Sequence, residues 1–378
     1  LAIGAGVVGT GFIGVVHVEA LRRLGIDVRG VVGSTPERAR AKAQTAPLPP
    51  VYDTLEEMLA DPSVDVVHLT TPNHLHHPQV KAALAAGKHV VCEKPLALSS
   101  EESAELLELA EASGLVHAVN FNIRFYPLCQ EARARCRAGE LGDLWAVRGC
   151  YLQDWLVLPT DWNWRLEPEA GGALRAVADI GSHWLDLTSF VTGLEVESVH
   201  ADLRTVIEVR RRPVGQVETF SAAGDVERVD QPMTTDDAAN IMLRYRGGAR
   251  GLVAISQVTA GRRNRVAFEI DGSEAGLAWE SERAEELWIG HRERPNEVLF
   301  RDPALMHEEA RSRTQLPGGH AEGFADTFRE LYRAVYAAVE AGRPPAEPDY
   351  PTFADGHRSL LLGEAVARSA REDHWINL

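Results

Sequence analysis

At 378 residues the chain is long for one domain, since domains usually run to roughly 100–200 residues, and two separate cores are expected. Its residues are 45% hydrophobic and 25% charged, and no apolar run is long enough for a membrane span or a secretory signal core, so a cytoplasmic protein with no membrane partner is expected. The formal net charge of −16 repels phosphate backbones over the general surface, which argues against a nucleic-acid partner but leaves room for a local pocket that holds an anionic cofactor.

The first third alternates short apolar runs with amphipathic stretches, the pattern of a parallel sheet with crossover helices. The opening IGAGVVGTGFIG carries the fingerprint G-x-G-x-x-G in two frames, Gly4-Gly6-Gly9 and Gly9-Gly11-Gly14. A phosphate loop leaves a strand and enters a helix, so that backbone N–H groups and the helix dipole face the pyrophosphate. The second frame meets this condition. Residues 5–8 end a strand, and Gly14 opens a helix through the periodic His17, Val18, Leu21 and Leu24, stopped by Gly25. Gly4 and Gly6 then belong to the strand.

Residues 28–32 read as the second strand, with Thr35-Pro36-Glu37 as the cap and first turn of the next helix. About 20 residues past the last glycine an Asp or Glu usually bonds the ribose 2′-hydroxyl of NAD. Here Gly33-Ser34-Thr35 stands instead. No carboxylate there repels a 2′-phosphate, and Ser34, Thr35, the helix N-terminus and Arg38 could receive one, so NAD(P) is expected with NADP favoured over NAD.

Residues 64–69 form a third strand, followed by Thr71-Pro72-Asn73 and a helix over 78–86 closed by Gly87. Residues 89–92 make a fourth strand. Ser99 and Glu102 are placed as a capping box for a helix ending at Gly114, and residues 116–121 make a fifth strand. Cys92-Glu93-Lys94-Pro95 lies at the carboxyl end of the fourth strand, where ligands bind in open α/β sheets. Lys94 there is either a cation beside the cofactor or a surface lysine in an ion pair.

Beyond about residue 130 short strands alternate with turns, as in 266–270 and 277–279 around Asp271-Gly272, which predicts a mixed or antiparallel sheet. Helices over roughly 323–341 and 353–371 close the chain. The fold class is therefore an N-terminal doubly wound parallel sheet over residues 1–128, then a large open mixed sheet with flanking helices over 129–378. The last helix, about 353–371, is expected to pack back on the first domain.

Asp179 and His183 stand at i, i+4, which puts them on one face of a helix. A carboxylate so placed orients an imidazole and stabilises its protonated form, as a general base near neutral pH requires, although structural pairs use the same spacing. Between the two stretches lie Tyr151, Trp155, Trp162 and Trp164 with Asp154, Asp161, Asn163 and Arg165. Aromatic faces beside polar partners suit a carbohydrate, and they equally suit packing. His320 precedes a helix and either reaches the substrate or serves its loop; Asp186 serves a substrate hydroxyl or the helix surface. The cysteines Cys92, Cys129, Cys136 and Cys150 show no C-x-x-C spacing and read as reduced, buried thiols. His74, His76 and His77 lack an acid or cysteine to complete a ligand set, so no metal is expected.

Taken in order, GTGFIG (Gly9 to Gly14), TPNHLH (Thr71 to His76), AGKHVVCEKPLA (Ala86 to Ala97), NFNIRFYP (Asn120 to Pro127) and DIGSHWLD (Asp179 to Asp186) resemble the glucose-fructose oxidoreductase and inositol dehydrogenase (Gfo/Idh/MocA) family over nearly the whole chain. The aromatic segment resembles that of its levoglucosan dehydrogenase-like subgroup. The resemblance implies an NAD(P)-dependent enzyme with a Rossmann domain, a Lys-Pro bond that is often cis, and a second domain whose open sheet makes homodimers or homotetramers. It implies Lys94, Asp179 and His183 as the catalytic trio. It also implies Gly9, Gly11, Phe12, Ile13 and Gly14, with Thr71, Pro72, Asn73, His76, Glu93, Lys94 and Asn122, as the cofactor lining. Arg124, Tyr151, Trp162, Trp164, Arg165 and His320 join Asp179 and His183 as substrate contacts.

The chemistry so implied is hydride transfer between nicotinamide and a secondary hydroxyl or ketone of a sugar, anhydrosugar or cyclic polyol. His183 would take the hydroxyl proton, Asp179 hold the imidazole and Lys94 stabilise alkoxide character. Two other activities occur on the same fold: NAD-dependent glycoside hydrolysis, and sugar-responsive regulation without catalysis. The glycine-rich first strand and the missing acid after the second strand depart from the family pattern.

Overall fold

In the computed structural model, which describes residues 3–215 and 226–378, the chain begins with a parallel five-stranded sheet. Residues 1 and 2, the start of the expected first domain, lie outside the described residues. The first domain runs β1 (Gly4–Val8), α1 (Phe12–Arg23), β2 (Asp27–Val32), α2 (Pro36–Thr45), α3 (Leu55–Ala60), β3 (Val66–Leu69), α4 (His76–Ala85), β4 (His89–Cys92), α5 (Ser100–Ser113) and β5 (His117–Val119). Its strands lie in the order β2-β1-β3-β4-β5. Val51 adds a parallel bridge to Val31 outside β2, at the edge place of the third strand in the six-stranded dinucleotide-binding order.

Helices cover both faces of this sheet. Ala5, Val7, Val66, Val67, Val90 and Val91 are wholly buried, which is why its strands read as unbroken apolar runs. Thr35 and Ser99 cap α2 and α5 by accepting the N–H groups of Arg38 and Glu102. The reciprocal half of the box at Ser99 is not formed: the Glu102 carboxylate accepts the Leu98 N–H at 3.0 Å, one residue earlier. The fifth strand is also shorter than expected, because the chain turns at Asn120 into the cleft.

The remainder runs α6 (Pro127–Arg137), β6 (Leu144–Leu152), α7 (Pro168–Gly171), α8 (Ser182–Thr192), β7 (Val196–Arg204), β8 (Val209–Pro213), β9 (Arg228–Pro232), β10 (Ala238–Tyr245), β11 (Arg250–Ser256), β12 (Arg265–Gly272), β13 (Gly276–Glu280), β14 (Glu286–Gly290), β15 (Glu297–Phe300), α9 (Glu308–Arg311), α10 (Phe324–Glu340), α11 (Phe353–Glu372) and β16 (Ile376–Asn377). Nine of these strands form one sheet in the order β15-β14-β13-β12-β6-β11-β10-β7-β16, while β8 and β9 pair separately. Within it β6 and β11 run parallel and the other neighbours antiparallel.

The inner face packs on α8 and α11, with Trp184, Leu187 and Val366 meeting Val147, Val253 and Phe268. Trp184 sits in a gap that requires glycine: a Cβ on Gly149 would lie 2.6 Å from its indole nitrogen and 2.0 Å from the Ala267 carbonyl it donates to. Opposite, a row in register joins Met242, Leu252, Arg148, Glu269, Ala278, Trp288 and Val298, and Met242, Leu252, Trp288 and Val298 are exposed.

Two helices fasten the halves together. On α10, Phe328, Leu331, Tyr332 and Val335 pack with Val7, Val18 and Leu21. At the start of α11, Phe353 packs with Leu96 and Val119; further along, Leu362 and Val366 join the core of the second sheet, and Ser100 binds the Glu364 carboxylate.

Candidate active site

The loop between β1 and α1 is built around its glycines. Gly9 has φ +112°, a left-handed value that disfavours side chains, and a Cβ there would also meet the Thr70 carbonyl at 2.8 Å. A Cβ on Gly14 would lie 2.0 Å from the Gly9 carbonyl oxygen, so α1 lies directly against the loop. Gly11, by contrast, faces open space. Gly11 is the N-cap of α1 and supplies no side-chain bond, and the first turn holds no acid, so the terminal N–H groups can receive a phosphate. Gly4 and Gly6 lie within β1.

Beside this loop a cleft opens between the two sheets. Phe12, Ile13, Glu93, Lys94 and Asn122 line it from the first domain. Tyr151, Trp155, Arg165, Asp179 and His183 line it from the second. Lys94 follows β4, its bond to Pro95 is cis, and its Nζ donates to the Asp179 carbonyl at 2.6 Å and to Asp179 Oδ1 at 2.8 Å. Arg165 Nε donates to the same Oδ1 at 3.2 Å, and Gln257 Nε2 to Oδ2 at 2.8 Å. Burial alone would raise the Asp179 carboxyl, but Lys94, Arg165 and these hydrogen bonds hold it well below the usual carboxylate range.

Asp179 does not orient His183 as expected. Residues Val177–Gly181 form a single π-helical turn before α8, and the Asp179 carboxylate is turned toward Lys94, Arg165 and Gln257, leaving His183 Nδ1 buried without a hydrogen-bond partner among the described residues. Burial first, and the Lys94 ammonium second, push the imidazole down to about 3, so it is neutral near pH 7.

Several expected contacts lie elsewhere. Arg124 is turned away from the cleft: its guanidinium binds Asp186 and Asp355 in a buried ion cluster, where burial pushes Asp186 up to about 6 against the opposing pull of Arg124. Asp186 is thus tied to Arg124. Neither Trp162 nor Trp164 lines the cleft; Trp164 stacks under the Arg165 guanidinium at 4.3 Å and so supports a residue that does. His320 is exposed in its loop, where its carbonyl accepts from Arg301. His76 is a buried brace, its ring reaching the Pro95 carbonyl at 2.7 Å and the Thr71 carbonyl at 2.9 Å. Asn73 donates to the Gly171 carbonyl at 2.9 Å, and Thr71 to Gln79, with Pro72 between them on the loop after β3. Ser34, Thr35 and Arg38 are exposed at the start of α2. Three of the cysteines are buried free thiols and Cys136 is half-buried.

The sequence reading missed Gln153, Gln257 and Asn264, which also line the cleft. Gln153 and Gln257 immediately follow β6 and β11, the parallel pair, whose ends therefore open side by side into the site. A polar residue just after an apolar strand was the available signal. Behind Gln257, Arg175 Nη1 donates to Gln257 Oε1 at 3.0 Å, which turns the amide nitrogen toward Asp179. Arg175 and Arg210 both bind Asp237, and all three side chains are buried.

A family model described as oxidoreductase family, NAD-binding Rossmann fold, matches residues 3–121, and the Gfo/Idh/MocA C-terminal domain model matches 129–278. Levoglucosan dehydrogenase of Pseudarthrobacter phenanthrenivorans is 29% identical over 392 residues, covering 100% of this chain and 98% of that protein. The structure of levoglucosan dehydrogenase with NADH and L-sorbose superposes with a TM-score of 0.88 at 29% identity, covering 99% of this chain and 98% of that one. For an inositol dehydrogenase homologue complexed with NAD+ from Azotobacter vinelandii the TM-score is 0.84 at 26% identity, covering 100% and 97%.

These relatives overturn the preference for NADP read from Gly33-Ser34-Thr35, because the levoglucosan dehydrogenase complexes carry NADH. The start of α2 supplies a physical reason. Glu37 sits in its first turn, where a backbone N–H and then the Thr35 hydroxyl hold its carboxyl below the usual value. The positive end of the helix therefore already carries an anion, which opposes a 2′-phosphate as the missing acid would.

Proposed function

The chain belongs to the Gfo/Idh/MocA family and is an NAD(P)-dependent oxidoreductase, and from that premise we propose that it moves a hydride between NAD(H) and a secondary hydroxyl, or the matching ketone, of a sugar, anhydrosugar or cyclic polyol. The observation that carries this reading is the convergence of Lys94, Asp179 and His183 in one cleft beside a glycine loop whose helix N-terminus has neither a side-chain capping bond nor an acid in its first turn. Residues 1–128 would bind the coenzyme and 129–378 the substrate.

The residues present fit a dinucleotide. Gly11 leaves space for close approach, the N–H groups of α1 await an anion, and Phe12, Ile13, Glu93 and Asn122 line the cleft. When bound, NAD(H) supplies the hydride acceptor or donor. In the oxidative direction neutral His183 takes the hydroxyl proton, and Lys94 donates a hydrogen bond to the oxygen as negative charge develops. Asp179 acts as the anchor of Lys94, gripping Nζ with both its carbonyl and its carboxylate. Tyr151 and Trp155 offer ring faces, and Gln153, Asn163 and Arg165 offer hydroxyl partners. The cations Lys94 and Arg165 are balanced by Glu93 and Asp179, which suits an uncharged polyhydroxylated substrate.

Purified protein assayed for NADH formation with levoglucosan, cyclic polyols and aldoses tests the reading. Lys94→Ala and His183→Ala are expected to lower kcat by about 10²–10⁴ while NADH binding persists. Absence of turnover on every polyol, or near-normal turnover in both variants, would reject it. The exposed outer row of the nine-stranded sheet is the proposed contact between copies of the chain, as dimer or tetramer. Leu252→Glu should then lower the mass measured by light scattering without lowering the helical signal.

A further inference from the structure

Beneath the cleft, side chains from α1, β3, the end of β4 and α10 form a continuous polar chain inside apolar packing. Tyr336 Oη lies 3.0 Å from His68 Nε2, His68 Nδ1 lies 3.1 Å from His17 Nδ1, and His17 Nε2 lies 3.1 Å from Glu93 Oε1. His17 and His68 are wholly buried and Tyr336 nearly so, and Phe328 and Tyr332 pack their rings against His17.

The hydrogen-bond inventory gives this chain one direction. An ionised carboxylate only accepts, so His17 presents its N–H from Nε2 to Glu93. If Nδ1 of His17 then accepts, His68 donates from Nδ1 and accepts the hydrogen bond of the Tyr336 hydroxyl at Nε2. The reverse arrangement, with both nitrogens of His17 protonated, would turn His68 Nε2–H toward Tyr336 and leave the tyrosine proton without an acceptor, since Tyr336 has no other hydrogen-bond partner among the described residues. Burial, then His17, hold the His68 ring well below the usual imidazole value, in keeping with a neutral ring.

Glu93 also accepts from Asn120 Nδ2 at 2.5 Å and from the Lys94 N–H at 3.2 Å, and Asn120 is in turn held by the Tyr332 hydroxyl. The charged or titratable groups that interact with it from the surrounding elements are His17, Lys94, His183, His76, Cys92 and Tyr332. Its side chain is 12% exposed, on the wall of the cleft.

We propose that Tyr336, His68 and His17 form a one-way hydrogen-bond chain that keeps Glu93 ionised beside the reacting end of the coenzyme, so that the site favours the cationic oxidised nicotinamide over the neutral reduced one. The proposal rests on the coenzyme reading above, because hydride transfer brings the ring within reach of Lys94, the residue next to Glu93. Glu93 touches the coenzyme site; His17, His68 and Tyr336 are positioning residues that act through it.

The test uses the intact protein and a binding ratio. Dissociation constants for NAD+ and NADH are measured on wild type, Glu93→Gln, His17→Leu and His17→Gln, and ¹⁵N imidazole spectra are recorded on wild type. Glu93→Gln is expected to shift the NAD+/NADH affinity ratio against NAD+ by about tenfold, the scale of one unit-charge interaction in a partly buried site. His17→Leu should shift it the same way, and His17→Gln, which keeps an N–H donor, should restore most of it. The spectra should show neutral rings, protonated at Nε2 in His17 and at Nδ1 in His68. A ratio unchanged in Glu93→Gln, or a doubly protonated His17, overturns the proposal. Wild type that binds neither coenzyme overturns the coenzyme reading as well, which separates the two failures.

Discussion

Replacing Asp237 with alanine should both unfold the protein more easily and slow it. One Asp237 oxygen accepts from Arg175 and, at 2.8 Å, from Arg210, while the other accepts the backbone N–H groups of Val206 and Ile207 at 2.7 and 2.8 Å. The variant therefore leaves two buried guanidinium groups without the carboxylate they bind and two backbone donors without their acceptor. Removing one partner of a buried ion pair costs about 3–5 kcal/mol, a large share of the roughly 5–15 kcal/mol by which a native protein is stable. Arg175 also fixes Gln257, which holds Asp179, so kcat should fall even where the variant is folded. Urea unfolding followed by circular dichroism reads the first effect and steady-state kinetics the second. Asp237→Asn, which keeps the shape but not the charge, should fall between. The acid limb carries the sign. Burial would raise the Asp237 carboxyl, but Arg175, the Ile207 N–H and Arg210 hold it below its ordinary value. A depressed carboxyl stabilises above the unfolded pKa of about 3.9 and loses that contribution as pH falls through the folded value. The wild-type urea midpoint should therefore drop below about pH 4, and drop less in Asp237→Ala. A loss of under about 1 kcal/mol with unchanged kcat would refute the reasoning.

The two loop glycines should separate by assay. Gly14→Ala drives a Cβ into the Gly9 carbonyl and should lower thermal stability by about 1–3 kcal/mol, whereas Gly11→Ala meets open space and should cost at most about 1 kcal/mol while weakening NADH binding. Lys94→Met removes the cation that helps depress His183, so the imidazole should titrate at higher pH by NMR; an unmoved titration would deny the coupling. His183 itself, depressed when folded, favours the native state above its unfolded pKa of about 6.5 and opposes it as pH falls toward about 3, so His183→Gln should weaken the acid sensitivity of stability over that window. Glu37→Gln should raise the efficiency with NADP+ relative to NAD+ several-fold, and an unchanged ratio would remove Glu37 as the source of the preference.

Much of the first domain was legible because its signals are local. A strand-to-helix glycine loop, Thr35 and Ser99 as caps, and apolar runs ended by Gly25, Gly87 and Gly114 each depend on residues a few positions apart. The helix at Leu55–Ala60 was missed because six residues give too little periodicity to recognise. The coenzyme preference misled for a similar reason: the expected acid was sought at positions 33–35, while Glu37 brings its charge to the same helix end from the following turn.

The catalytic residue types and the glycine loop could be read along the chain, because covalent neighbours and helical spacing limit what such residues can do. Their partnerships could not. Asp179 and His183 are four apart, yet Asp179 is held by Lys94, Arg165 and Gln257, residues as far as 85 positions away. Arg124 lies in a family-like motif, yet Asp355, 231 positions on, helps draw it out of the cleft. Gln153 and Gln257 meet because β6 and β11 happen to run parallel, and His17 reaches Tyr336 through His68 because α10 folds back over the first sheet. A buried polar group must find a donor or acceptor wherever the packed chain supplies one, so the contacts that set charge and orientation belong to the tertiary structure.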